Sequence, residues 1–182
     1  GIMGLSWMSY FEGSTNEVPE AQYTIPFGQA RVVREGRDLT IVTLSQMVQK
    51  SVLAADQLAA EGISAEVIDL RTLVPLDRAA VLASVAKTGR LLVADEDYLS
   101  YGLSGEIAAL VAENLDTLRL KAPVRRLAVP DVPIPFSRPL EQFATRPEEK
   151  VTLDDAHGEA DLLRDFYAYI HQNIEPGVSV RH

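Results

Sequence analysis

The residues of this chain that could do chemistry stand directly after apolar runs that resemble buried strands. Asp69 and Arg71 follow the run "AEVI", the acidic triplet Asp95–Asp97 follows "LLVA", and the stretch Ser45–Met47 follows "LTIVTL". In open α/β sheets, ligands bind beyond the carboxyl ends of the parallel strands. These three stretches are therefore the candidate sites, either for a ligand or for ion pairs at a subunit interface.

Ser45, Gln46 and Met47 open a predicted helix, and the free amides of a helix start favour a small anion such as phosphate or sulfate. The turn contains no glycine, and the chain has neither a GxGxxG motif nor a Walker loop. The sequence therefore predicts a small-anion or regulatory site at this turn, and not a pyrophosphate cradle.

The acidic triplet Asp95, Glu96 and Asp97 has the oxygen ligands for Mg²⁺ and the carboxylates for acid–base catalysis. Neighbouring side chains at a strand end point in opposite directions, so the three cannot easily converge on one ligand. Ion pairing with Arg71 or Arg90 is the simpler expectation.

The remaining residue types argue against catalysis by this chain. The three histidines, His157, His171 and His182, lie far from the predicted strand ends, and there is no cysteine. A serine nucleophile would therefore lack its histidine base, and thiolate chemistry is excluded. We predict no catalytic, cofactor-binding or metal-binding residue in the chain.

Composition narrows the possible partners. The chain has 182 residues, 47% of them apolar, and a formal net charge of −9. The negative charge argues against nucleic acid or an anionic membrane as a partner, and no apolar run is long enough to span a membrane. The absence of cysteine fits the cytoplasm.

Strands and helices alternate along most of the chain. "ARVVREGRDLTIVTLS" predicts a hairpin of Ala30–Arg34 and Leu39–Leu44, and a helix follows over Gln46–Glu61. Three further strands, "SAEVIDL", "RLLVADED" and "VRRLAVP", are separated by a helix between Asp77 and Gly89 and another near Gly102–Asn114. The pattern predicts a three-layer α/β/α fold whose five-stranded, mostly parallel sheet has one antiparallel edge strand.

We expect three parts along the chain. Residues 1–22 are predicted to be an inter-domain linker or a leftover of recombinant expression, and residues 23–153 the α/β domain. Residues 154–182 are predicted to be an acidic segment followed by an amphipathic helix, about Asp161–Ile174, with apolar residues on one face.

Several stretches, in order and spacing, resemble a known family. "GISAEVIDLRTLVPLD", "SVAKTGRLLVADED", "GEIAALVAE" and "PDVPIPF" are similar to the C-terminal half of the beta subunit of thiamine-diphosphate-dependent 2-oxo acid dehydrogenases. This family includes the pyruvate, branched-chain 2-oxo acid and acetoin dehydrogenases. The resemblance covers about Glu17 to Leu140 and implies the transketolase C-terminal domain fold.

The resemblance also implies a role. In the parent enzyme, thiamine diphosphate and Mg²⁺ lie between domains that this chain lacks, so the isolated chain is expected to bind no cofactor and to be inactive. The domain is expected to serve subunit assembly, with self-association as a homodimer, contact with the dehydrogenase alpha subunit and docking of the acyltransferase core. Asp69, Arg71, Asp95 and Glu96 are the interface candidates. A free-standing module that binds a small anion or nucleotide is the alternative.

Overall fold

The computed structural model describes residues 20–129 and residue 131, which form one sheet with helices on both faces. In chain order the elements are β1 (Arg31–Arg34), β2 (Leu39–Thr43), α1 (Met47–Ala60), β3 (Ala65–Asp69), α2 (Arg78–Thr88), β4 (Leu91–Tyr98), α3 (Leu103–Ala112) and β5 (Arg125–Val129). The predicted linker apart from residues 20–22, the acidic segment, the last helix and the histidines lie outside these residues. No helix in the described part is long and apolar enough to cross a membrane.

The sheet has the order β1-β3-β2-β4-β5, in which β1 is antiparallel to β3 and the other four strands are parallel. The predicted fold class, with one antiparallel edge strand, is confirmed. The predicted hairpin is wrong, because β3 lies between β1 and β2 and Arg31 pairs with Asp69.

The connection from β1 to β2 explains why the hairpin does not form. It crosses the start of β3, where the backbone N–H groups of Arg37 and Asp38 donate to the carbonyl of Ser64 at 3.0 and 2.9 Å. A Cβ added at Gly36 would lie 2.1 Å from the backbone nitrogen of Glu66. Only glycine allows the chain to pass this close to β3.

Two apolar layers hold the helices against the sheet. Neighbouring strand residues point to opposite faces, so Ile41 packs with Leu58 under α1 while Val42 packs with Val81 and Ile107 under α2 and α3. All five side chains are fully buried. Both faces of the sheet are thereby covered by apolar packing.

A buried polar cluster also ties α2 to the sheet. The carboxylate of Glu66, on β3, accepts hydrogen bonds from Ser84 Oγ at 2.5 Å and from the N–H of Gly36 at 3.3 Å, and it forms an ion pair with Lys87. Burial alone would raise the pKa of Glu66. The hydrogen bonds from Lys87, Ser84 and Gly36 outweigh burial and hold this pKa below its usual value.

Candidate functional site

The carboxyl ends of β3, β2 and β4 lie side by side, so the loops after them form one surface, which we call the carboxyl end. Each loop contains one non-glycine residue with left-handed backbone: Arg71 (φ 57°), Ser45 (φ 56°) and Tyr101 (φ 61°). They are the only such residues in the described part of the chain. This conformation costs roughly 1–3 kcal/mol per residue and persists where surrounding contacts fix it.

Glu96 occupies the start of α1, within the predicted small-anion site. The N–H of Met47, the first residue of α1, donates to Glu96 Oε1 at 3.1 Å. Met47 itself is buried. The carboxylate therefore satisfies one unpaired amide of the helix and complements the positive end of its dipole. An external anion at Ser45–Met47 would have to compete with this internal one.

Asp95 plays the corresponding role on the opposite face. Its carboxylate accepts the N–H of Ser104, in the first turn of α3, and the N–H of Asp97, each at 3.2 Å. The side chain is nearly buried, and burial raises the pKa of Asp95 although these two hydrogen bonds counteract the shift.

Two residues of the acidic triplet, Asp95 and Glu96, therefore act as helix caps. Asp95 and Glu96 point to opposite faces, as the strand periodicity predicts, and each accepts backbone N–H groups. The expected ion pair with Arg71 or Arg90 is not among the contacts of the described residues, and the Arg90 guanidinium donates to the carbonyl of Asp38 at 3.2 Å. No group of three acidic or histidine residues in the described segments could hold a metal ion.

Asp69 and Arg71 shape the loop after β3. Asp69 Oδ1 accepts the backbone N–H of Arg71 at 3.0 Å, which stabilises the tight turn at that residue. The Arg71 side chain is exposed and makes no ion pair within the described segments. An interface role for Asp69, Arg71, Asp95 and Glu96 stays a prediction.

The rest of this loop fastens the N-terminal arm, residues 20–30. Thr72 Oγ1 accepts the N–H of Gly28 and donates to the carbonyl of Pro75, both at 2.9 Å. Asp77 caps α2 through the N–H of Ala80 at 3.1 Å, and its second oxygen accepts the N–H of Ala30 at 2.9 Å. The arm is therefore held at the carboxyl end by side chains of "DLRTLVPLD".

The loop after β4 is fixed by contacts with the end of β5. Ser100 donates its backbone N–H and its hydroxyl to the Asp131 carboxylate at 3.2 and 2.5 Å, and Arg126 donates to the carbonyl of Leu99 at 2.8 Å. The tethered loop presents Tyr101 with its side chain fully exposed. The alternation of strands and helices gave no indication of this exposed tyrosine.

Three buried hydroxyls were also missed by the sequence analysis. Thr43, Ser51 and Ser104 are fully buried, and none of their side-chain oxygens has a hydrogen-bond partner within the described structure. Buried polar atoms are nearly always satisfied by protein or water. The only indication in the sequence was a polar residue at an otherwise apolar strand or helix position.

Comparison with known proteins decides the family. The family model "Transketolase, C-terminal domain" matches residues 28–151. The chain belongs to the transketolase C-terminal domain family. A solved chain described as a split-gene transketolase in an inactive beta4 tetramer has a similar structure, with a TM-score of 0.61, 28% identity, and coverage of 87% of this chain and 45% of that one.

Curated relatives of this transketolase C-terminal domain are beta subunits. The pyruvate dehydrogenase E1 component subunit beta of Bacillus subtilis is 45% identical over 137 residues, which are 75% of this chain and 42% of the relative. The acetoin:2,6-dichlorophenolindophenol oxidoreductase subunit beta of Cupriavidus necator is 48% identical over 131 residues, 72% of this chain and 38% of the relative. The chain thus spans less than half the length of these relatives. It is homologous to subunits of 2-oxo acid dehydrogenases.

Proposed function

We propose that this chain is the assembly domain of a 2-oxo acid dehydrogenase beta subunit, and that it is catalytically silent by itself. The observation that carries the proposal is the identity of 45% to a pyruvate dehydrogenase beta subunit, confined to 42% of that subunit's length. The parent enzyme would oxidatively decarboxylate pyruvate or a related 2-oxo acid and transfer the acyl group to lipoyl groups. Its compartment would be the cytoplasm.

The residues at the carboxyl end do not fit thiamine diphosphate with its Mg²⁺. Mg²⁺ binds through one or two carboxylates together with phosphate oxygens. Asp95 and Glu96 lie on opposite faces of the sheet, and each already accepts an N–H group at a helix start. We therefore assign no step of the reaction to this chain. The partners we propose are a second copy, the dehydrogenase alpha subunit and the acyltransferase core.

Calorimetric titration of the purified chain with thiamine diphosphate and Mg²⁺ tests the silent-domain proposal. We expect no detectable heat of binding. Saturable binding at micromolar concentration would overturn the assignment, because the chain would then build a cofactor site by itself. A second experiment asks whether coexpression with the alpha subunit and the missing part of the beta subunit restores pyruvate decarboxylation, which the chain alone should lack.

The alternative proposal is a small-anion module at Ser45, Gln46 and Met47. It is motivated by the left-handed backbone of Ser45 immediately before a helix start. Glu96 counts against it, since its carboxylate accepts the Met47 N–H. Thermal-shift measurements with phosphate, sulfate and nucleotides test it, and the absence of any shift would remove this alternative.

A further inference from the structure

Two of the buried hydroxyls without a partner lie between β2 and α1. Ile41 packs under α1, and Thr43, two residues later on β2, points to the same face of the sheet. Ser51 is one of the buried side chains through which α1 faces the sheet. Both side chains are fully buried, and neither hydroxyl oxygen has a hydrogen-bond partner within the described structure.

The register of α1 on the sheet brings these two hydroxyls to the same level. The hydrogen bond from the Met47 N–H to Glu96 joins the first residue of α1 to β4. Because α1 connects the parallel strands β2 and β3, it runs back along the sheet from that point. Ser51 lies four residues along α1, about 6 Å, and Ala94 lies two residues back along β4, about 6.6 Å. Ala94 is paired with Thr43, so the two hydroxyls face each other beside it.

The surroundings of the two hydroxyls suit a molecule the size of water. Ala94 on β4 and Ala54 and Ala55, one helical turn after Ser51, are small and fully buried. A buried water needs room of about its own size and roughly two to four polar partners. The hydroxyls are two such partners, and the carbonyl of Met47, one turn before Ser51, has a second lone pair for a further hydrogen bond. Water that bridges two protein groups is nearly as favourable as a direct hydrogen bond.

Charges on this face disfavour an ion of either sign. Asp69, paired with Thr43 on β3, and Glu96 both point to the face that α1 covers, and their carboxylates repel an anion. The start of α1 carries the positive end of the helix dipole, which disfavours a cation. A neutral molecule that both donates and accepts hydrogen bonds fits this site best.

We propose that Thr43 and Ser51 hold a buried water molecule that bridges the end of β2 to the second turn of α1. Each hydroxyl can donate one hydrogen bond and accept another, so one water satisfies both. The bridge fixes the start of α1, where Met47 meets Glu96, against the sheet at the carboxyl end. This binding site goes beyond the proposed assembly function and does not depend on it.

Oxygen-17 magnetic relaxation dispersion of the full chain tests the proposal, because it counts water molecules that the protein holds for longer than it tumbles. Thr43→Val combined with Ser51→Ala gives a hydroxyl-free variant, whose dispersion amplitude should fall by about one water molecule. Thr88→Val is the matched control. Thr88 is also a fully buried threonine, but its hydroxyl bonds directly to that of Thr40 at 2.8 Å and to the carbonyl of Arg90 at 3.1 Å. The control should leave the amplitude unchanged.

Urea unfolding gives a second readout. Thr43→Val keeps the shape of the side chain and loses the hydroxyl, so the water is released and Ser51 is left unsatisfied. We expect the unfolding equilibrium constant to rise about fivefold. The hydroxyl-free variant should be no less stable than Thr43→Val, because it also removes the stranded hydroxyl of Ser51. If the two hydroxyls held no ligand, Thr43→Val would instead stabilise the protein.

Three results would overturn the proposal. One is an unchanged dispersion amplitude in the folded hydroxyl-free variant, and another is a Thr43→Val chain more stable than wild type. The third is stabilisation of the wild type by sodium or potassium over choline at equal ionic strength, absent from the hydroxyl-free variant, which would place a cation at the site. If the hydroxyl-free variant does not fold, Thr43→Val should lose the water and Thr43→Ser, which retains a hydroxyl, should keep it. None of these results affects the calorimetric and reconstitution tests of the proposed function.

Discussion

Removal of Lys87 should leave a buried charge without its partner. The Glu66 side chain is only 2% exposed, and Lys87 is its one cationic partner in the described part of the chain. Lys87→Met therefore leaves a carboxylate supported only by Ser84 and by the N–H of Gly36. A buried charge that loses its partner is strongly destabilising, whereas replacing both partners is much better tolerated.

The expected loss of stability in Lys87→Met depends on how deeply the two charged side chains are buried. Breaking a fully buried ion pair costs about 3–5 kcal/mol, but the Lys87 side chain is 44% exposed and water screens its charge. We therefore expect Lys87→Met to lower the free energy of unfolding by about 2 kcal/mol at pH 7. Adding Glu66→Gln removes the stranded charge while keeping the shape of the side chain, so the double variant should recover about half of the loss.

The pH dependence gives an independent check. The folded-state pKa of Glu66 is lowered, so its contribution is present above the unfolded pKa and is lost as the pH falls through the folded value. The pKa of Lys87 is raised, chiefly by its hydrogen bond with Glu66, so its contribution is lost as the pH rises through the folded value. The pair thus stabilises the fold between about pH 4.3 and pH 10.4.

Urea unfolding of wild type, both single variants and the double variant measures these effects. The cost of Lys87→Met should shrink when the pH is lowered from 7 to about 3, where carboxylates protonate. Lys50→Met, on α1, is the control, because Lys50 makes no ion pair in the described segments, and it should cost less than about 0.5 kcal/mol. A double variant less stable than Lys87→Met alone would refute the reasoning.

Three further predictions concern single residues. Gly36→Ala should be severely destabilising or prevent folding, because the new Cβ would overlap the backbone of β3; a thermal melt close to wild type would contradict this. Asp77→Ala should lower the free energy of unfolding by about 1–2 kcal/mol, because α2 loses its cap and the Ala30 N–H loses its acceptor. A loss below about 0.5 kcal/mol in urea unfolding would show that the cap is dispensable. Glu96→Gln should lower the free energy of unfolding by about 0.5–1 kcal/mol, because the cap of α1 is weakened. If the small-anion alternative is correct, the same variant should bind sulfate more tightly. Unchanged stability in urea would mean that Glu96 does not cap α1.

Local patterns in the sequence were sufficient to predict where helices begin and end. The helical spacing after β2, the cap at Asp77 and the glycine at position 89 predicted α1 and α2 nearly to the residue. The structure shows Asp77 accepting the Ala80 N–H and Gly89 with a φ of 73°. These signals succeed because each depends on hydrogen bonds within a few residues of the chain.

The position of β1 required information that local patterns do not contain. A short "EGRD" connection between two strands normally indicates a hairpin. Here β3, which comes later in the chain, takes the place between them, and its pairing with both strands outweighs the local preference. The glycine at position 36 was the one indication, since it marks a close backbone approach as well as a turn.

The sequence predicted the candidate site only in part, as it did the fold. Period-two alternation correctly predicted that Asp95 and Glu96 point to opposite faces, but it could not identify their hydrogen-bond partners. α1 has no acidic residue in its first turn and no side-chain cap of its own. Glu96, 49 residues after Met47, supplies the missing acceptor. Two of the three acidic residues at the end of β4 are therefore explained by helices that need an acceptor at their N-terminus: Glu96 serves α1 and Asp95 serves α3.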